Sequence, residues 1–287
     1  VGNIPHEIAI YGLEYPHDYF IKVDIKKIVE TVSSYMGEIP YKKYLFLIHF
    51  VPQTYGGLEH LNSTVLMFDG RRLAIPKDYF SWISLVAHEY FHAWNVKRIR
   101  PKELGPFKYN EENYTTMLWL AEGLTKMMDD YFVLRSGLVD PAGYLEALKS
   151  DLNSYYKTPG RKFDSLEQSS LNAWIKLYRP HENLNNTSIS YYLKGGLVFV
   201  CLHMELSKKN QSIKNLLQLL WNDFKAHPER GVTKENFIQM LSKIADKDLL
   251  DQFDDYIATT KEINFAHHFE AAGISIEWEK PPLDLGM

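Results

Sequence analysis

A five-residue pattern, His88-Glu89-Tyr90-Phe91-His92, constrains this chain more than any other feature. On a helix, residues four apart share a face, so His88 and His92 can aim ring nitrogens at one ion. Glu89 follows the first histidine directly and can flank that ion and take a proton from a water there. The surroundings suit a helix. Trp82, Ile83, Val86, Tyr90 and Phe91 form an apolar face at three- and four-residue spacing, and Pro101 closes the segment. The competing reading is an amphipathic helix that merely carries two histidines, and the rest of the chain decides between the two.

A catalytic zinc takes three protein ligands and keeps a fourth position open. In metzincins a His or Asp follows the second histidine closely, but residues 93–98 here contain neither. Glu122 is the best third ligand. It lies on the next predicted helix, beside an apolar stripe of Met117, Leu118, Ala121, Leu124, Met128, Tyr131 and Phe132, with Asn113 as the expected N-cap and Gly137 as the stop. A carboxylate beside such a stripe needs a partner, and zinc is the one the chain offers.

Upstream, the patterns predict a strand at 7–11, a helix at 24–36 ended by Gly37, a buried strand at 44–51 and another at 63–68. Gly56 and Gly57 beside that last strand would let a ligand's backbone approach closely, with Glu59 at the strand edge facing a cleft. A plain turn with a solvated Glu59 is the alternative. Downstream the pattern is almost wholly helical, at 141–156, 165–177, 188–207, 212–226, 233–244 and 248–256. Residues 273–282 read as a strand running into a linker.

Composition excludes some functions. A net charge of −4 with no basic stripe gives no electrostatic case for nucleic acid. Lys97, Arg98, Arg100 and Lys102 read as a salt-bridged loop. The one cysteine, Cys201, rules out an internal disulfide and reads as a buried, inert thiol. No stretch reaches the eighteen or so apolar residues that span a bilayer. The expectation is a soluble protein, cytoplasmic or periplasmic, cut from a longer chain. His203, His227, His267 and His268 show no partner at ligand spacing.

In that order, HEYFHAWNVKRIRP, LWLAEGLTKMMDDY and ISYYLKGGLV closely resemble the glycyl aminopeptidase family of zinc peptidases, gluzincins distantly related to aminopeptidase N. GGLEH with the following NST, KTPGRK and AWIKLYRP extend the resemblance through nearly the whole chain. It implies zinc held by His88, His92 and Glu122, with Glu89 as general base. Tyr192, in Tyr192-Leu-Lys-Gly195, would stabilise the transition state, with Tyr191 as the alternative if the register is off by one. Gly56, Gly57 and Glu59 would form a substrate strand whose carboxylate grips a free α-amino group. Leu58 and His60 stand where the wider pattern has Met and Asn. Asp129, two turns along from Glu122, is cast as an acceptor orienting a zinc-bound imidazole; a plain surface acid is the alternative.

The expected fold is α+β, a thermolysin-like two-lobed zinc peptidase domain. Residues 1–100 would be a small α/β lobe with the substrate strand and the metal helix. Residues 101–270 would be a mostly helical lobe carrying Glu122 and Tyr192. Residues 271–287 would lead towards a further domain, and the resemblance implies flanking β and PDZ domains. The expected activity is removal of N-terminal residues, glycine or alanine favoured on family grounds, from peptides with a free N-terminus. An endopeptidase on the same centre and a metal-stabilised peptide-binding scaffold are the rivals.

Overall fold

The computed structural model describes residues 1–12, 18–270 and 272–279. The expected link around Pro16 and the linker from Lys280 onward lie outside them. β1 (His6–Tyr11) and α1 (Asp18–Met36) lead to β2 (Tyr44–Phe50), β3 (Tyr55–Glu59), β4 (Ser63–Phe68) and α2 (Pro76–Phe91). A π-helical turn (Trp119–Gly123) then runs directly into α3 (Leu124–Arg135). Helices follow as α4 (Pro141–Tyr156), α5 (Leu166–Leu171), α6 (Leu184–Thr187), α7 (Leu193–Ser207), α8 (Ile213–Ala226), α9 (Lys234–Leu241), α10 (Lys247–Ala258) and α11 (Phe265–Glu270). The α+β class expected from the sequence is the class observed.

The sheet has the order β1-β2-β4-β3, with β1, β2 and β4 parallel and β3 antiparallel on the edge. β2 is a buried strand, as expected, with one face better covered than the other. Tyr44, Phe46, Ile48 and Phe50 are buried while Leu45, Leu47 and His49 are only half-buried, the period-two pattern of a sheet with one well-covered face. The cover is α2. Phe50 and Phe68 pack on Trp82 with ring centroids 5.4 and 5.5 Å away, and Tyr44 and Phe46 pack on Tyr90 at 5.1 and 5.8 Å. Fully burying a Phe side chain is worth about 1.5–3 kcal/mol, so three such rings hold α2 firmly to the sheet.

Several boundaries differ from the sequence expectation. α2 starts with Pro76, whose missing N–H costs nothing in the first turn, and ends at Phe91 with His92 as its C-cap, well before Pro101. Beyond it the chain makes wide turns, Lys97 N–H to His92 O and Ile99 N–H to Trp94 O, that swing Asn95 beneath the His92 ring. Asn113 does not cap the next helix; its amide donates to the Lys108 and Glu111 carbonyls. α5 and α7 are shorter than their apolar patterns: residues 172–177 and 188–192 form turns and irregular chain instead. Described residues 274–279 form no strand, and Trp278 packs on Tyr156 at 4.6 Å. The helical part is centred on Trp119, ringed by Phe199, Phe237 and Phe253.

Candidate metal and active site

With Trp82 and Tyr90 turned to the sheet, α2 presents His88, Glu89 and His92 elsewhere, all buried. The rings of His88 and His92 stand 4.6 Å apart and nearly perpendicular. Their Nε2 atoms each lie 3.2 Å from the same oxygen, Oε2 of Glu122. Both outer nitrogens are engaged. Nδ1 of His88 donates to Asp129 at 2.9 Å, and Nδ1 of His92 donates to the Asn95 carbonyl at 2.6 Å. Nε2 is therefore the nitrogen that each ring turns to the centre.

This donor set fits a zinc ion. Zinc bonds of 2.0–2.1 Å in a tetrahedron set ligand atoms about 3.3 Å apart, close to the two observed spacings. Glu89 Oε2 is also buried beside the centre with no hydrogen-bond partner among the described residues. Burial pushes the Glu89 carboxyl up to about 7 against the pull of His92 and His88.

Glu122 sits in the π-helical turn, and the Leu124 N–H reaches back five residues to Trp119 O. Such turns frequently occur at functional sites, where the extra residue re-aims a side chain. Asp129 is buried and lies two turns along, between His88 and Lys126, whose ammonium also holds Asp130 at 2.6 Å. It is not the plain surface acid.

Tyr192 stands immediately before α7, lines the cleft and stacks on His88 at 6.0 Å. Tyr191 is fully buried behind it. Burial, with the charge of Glu122, holds the Tyr192 phenol well above its usual pKa. Gly195 meets Gly123 rather than α2: a Cβ on Gly123 would stand 2.8 Å from the Gly195 Cα. The small residues thus let α7 approach the turn that carries Glu122.

Gly56 and Gly57 fall on the edge strand β3, as strand rather than turn, with Glu59 at its end. Gly56 has φ +151, which favours glycine, and a Cβ on Gly57 would stand 2.3 Å from the Glu89 Cδ. Glu59 is close to the centre, its carboxylate within 4.8 Å of the Glu89 and His92 ligand atoms. Lys97 was missed as its partner: the ammonium, nearly buried and 4.5 Å from the Phe107 ring, lies 3.2 Å from Glu59 Oε1. Arg98 and Arg100 of the expected salt-bridged loop instead donate to backbone carbonyls. A cleft of about 1070 Å³ runs from the β3 glycines past Glu89, His88 and Tyr192 to α4.

A second cluster lies apart from this one. Glu205 on α7 supplies the partner that His267 and His268 lacked in sequence. Lys208 already donates to both Glu205 oxygens, and His268 bridges Glu205 and Tyr256, so the cluster is satisfied without an ion. Cys201 is buried and free, as expected. No helix of the described residues is long and apolar enough to cross a membrane.

Comparison with known proteins was consistent. No curated protein matched. Among solved structures, an aminopeptidase N family protein from Idiomarina loihiensis is 31% identical over 92% of this chain, with a TM-score of 0.85; the chain spans 46% of that protein's length. Yeast LTA4 hydrolase in complex with bestatin (18% identity, TM-score 0.58, 84% of this chain and 36% of its own) shares the fold. So does an M1 zinc metallopeptidase from Deinococcus radiodurans (13%, 0.54, 87% and 47%). The M61 glycyl aminopeptidase model matches residues 81–198, a stretch that holds His88, Glu89, His92, Glu122, Asp129 and Tyr192 and begins after β3. With that match running from α2 into α7, and the Idiomarina likeness covering nearly the whole length, this chain is similar to the M61 glycyl aminopeptidase family in sequence and to an aminopeptidase N family protein in fold.

Proposed function

We propose that the chain is the catalytic domain of a zinc aminopeptidase of the gluzincin type, a thermolysin-like pair of lobes that removes N-terminal residues, glycine or alanine preferred, from peptides. The observation that carries this reading is the meeting of two Nε2 atoms on one Glu122 oxygen, with Glu89 beside them. Zinc, when bound by His88, His92 and Glu122, supplies Lewis acidity and a water with a pKa of about 7. Glu89 takes the proton of the attacking water and hands it to the leaving amine. Tyr192 donates to the oxyanion as the carbonyl carbon becomes tetrahedral. Glu59 receives the substrate ammonium and sets the register at one residue before the scissile bond. Family likeness supports flanking β and PDZ domains in the full-length protein.

The test is hydrolysis of glycyl and alanyl amides, free and N-acetylated, with and without chelator. Turnover confined to free amines and abolished by chelation is expected. Equal cleavage of blocked substrates would favour the endopeptidase, and zinc binding with no turnover would favour the scaffold.

Two further outcomes follow from geometry. Tyr192→Phe removes one oxyanion donor and should lower kcat by about 10²–10³-fold with little change in KM. That loss from Tyr191→Phe instead would move the role by one residue. Gly57→Ala forces the new methyl into Glu89. A misplacement of about 1 Å can cost roughly 10²-fold in rate, so kcat should fall by that order while zinc content holds. Unchanged kcat would mean that β3 does not position the base.

A further inference from the structure

We propose that Asn95 is a positioning residue for the metal centre, bracing the Glu122 turn against the end of the metal helix so that His92 and Glu122 are set before an ion arrives. The proposal rests on the reading that His88, His92 and Glu122 hold zinc.

Asn95 is wholly buried and works from both ends. Its backbone carbonyl accepts the proton of His92 Nδ1 at 2.6 Å, which fixes the tautomer of that ring. Its side-chain Nδ2 faces the π-helical turn, 3.1 Å from Leu120 O, 3.0 Å from Ala121 O and 2.9 Å from Thr125 Oγ1. The turn explains why a donor is needed there. The Leu124 N–H bonds Trp119 O, five residues back, where an α-helix would have used Leu120 O. Leu120 O takes the Asn95 amide instead.

A buried carbonyl without a donor costs about 1–3 kcal/mol, enough to favour a plain α-helix that would rotate Glu122 away. The orientation of the amide is set by its surroundings: Oδ1 has no partner among the described residues, and reversing the group would press it against two carbonyl oxygens. Thr125 completes the brace by donating to Ala121 O at 2.7 Å. One residue thus ties a nitrogen ligand to the oxygen ligand on another element.

The experiment measures zinc affinity by chelator competition, and the visible spectrum of the cobalt-substituted protein, for wild type, Asn95→Ala, Thr125→Val, Glu122→Ala and Ile213→Ala. Loss of an outer partner typically lowers metal affinity about 10–100-fold. Asn95→Ala should fall in that range with an altered cobalt spectrum. Thr125→Val, nearly isosteric, should lose a few-fold. Ile213→Ala, a buried truncation remote from the centre, should lower the Tm yet leave affinity and spectrum unchanged. If Asn95→Ala does not fold, Thr125→Val carries the test, and affinity equal to wild type overturns the proposal. Wild-type affinity and spectrum in Asn95→Ala overturn it too, as does an equal loss in Ile213→Ala. If Glu122→Ala abolishes tight binding while Asn95→Ala does not weaken it, this proposal alone falls. If Glu122→Ala binds zinc like wild type, the ligand reading falls and takes this proposal with it.

Discussion

Glu89→Gln is expected to bind zinc and fold like wild type while kcat falls by about 10²–10⁴-fold, the usual contribution of a positioned general base. Gln keeps the size of the side chain, so the contact with the Gly57 backbone survives, but it cannot accept a proton. Glu89 lies outside the proposed ligand set of His88, His92 and Glu122, so metal content should not change. Elemental analysis, thermal unfolding and steady-state kinetics on one preparation separate the possibilities. Retention of most of kcat would remove Glu89 from the role, and loss of zinc would make it a ligand.

The parts of this site legible in the sequence are those set by helical periodicity. His88 and His92 share a helix face whatever surrounds them, and a carboxylate beside the stripe of Met117, Leu124 and Met128 needs a buried partner. The helix of residues 141–156 is also bounded by its own local signals, with Pro141 in its first turn after an Asp140 cap. What escaped depends on contacts between distant segments. The π-helical turn at Glu122 follows from a side chain on the preceding segment, and no local propensity marks it. The early end of α2 follows from the turns that bring the Asn95 carbonyl under His92. α7 begins only at Leu193, and Tyr192 just before it stacks on His88. The residues of β2 are legible as a buried strand, but hydrophobicity alone does not report which of its faces a helix covers.

The Glu59–Lys97 pair is the omission with the largest functional consequence, because it changes how the proposed amine anchor must be tested. Glu59→Gln removes the charge offered to a substrate ammonium. It also leaves the Lys97 ammonium, nearly buried, without its carboxylate. Breaking a desolvated charge pair of this kind typically costs about 2–5 kcal/mol. For free glycyl amides kcat/KM should therefore fall by roughly 30- to several-thousand-fold, at 1.4 kcal/mol per factor of ten. Zinc content should hold, since Glu59 lies outside the His88, His92 and Glu122 set. Acetyl-glycyl amide should be poor before and after, so the mutant narrows the gap between the two substrates.

Lys97→Met separates the anchor from its internal partner. It keeps the carboxylate and removes the competing ammonium, so preference for the free amine should persist or grow even if the Tm falls. Loss of that preference in Lys97→Met as well as in Glu59→Gln would show that the pair acts as a structural unit and that neither charge reads the substrate. Cleavage of the blocked amide by wild type as fast as the free one would be decisive in the other direction, because a carboxylate that tolerates an uncharged peptide beside it is not anchoring an N-terminus.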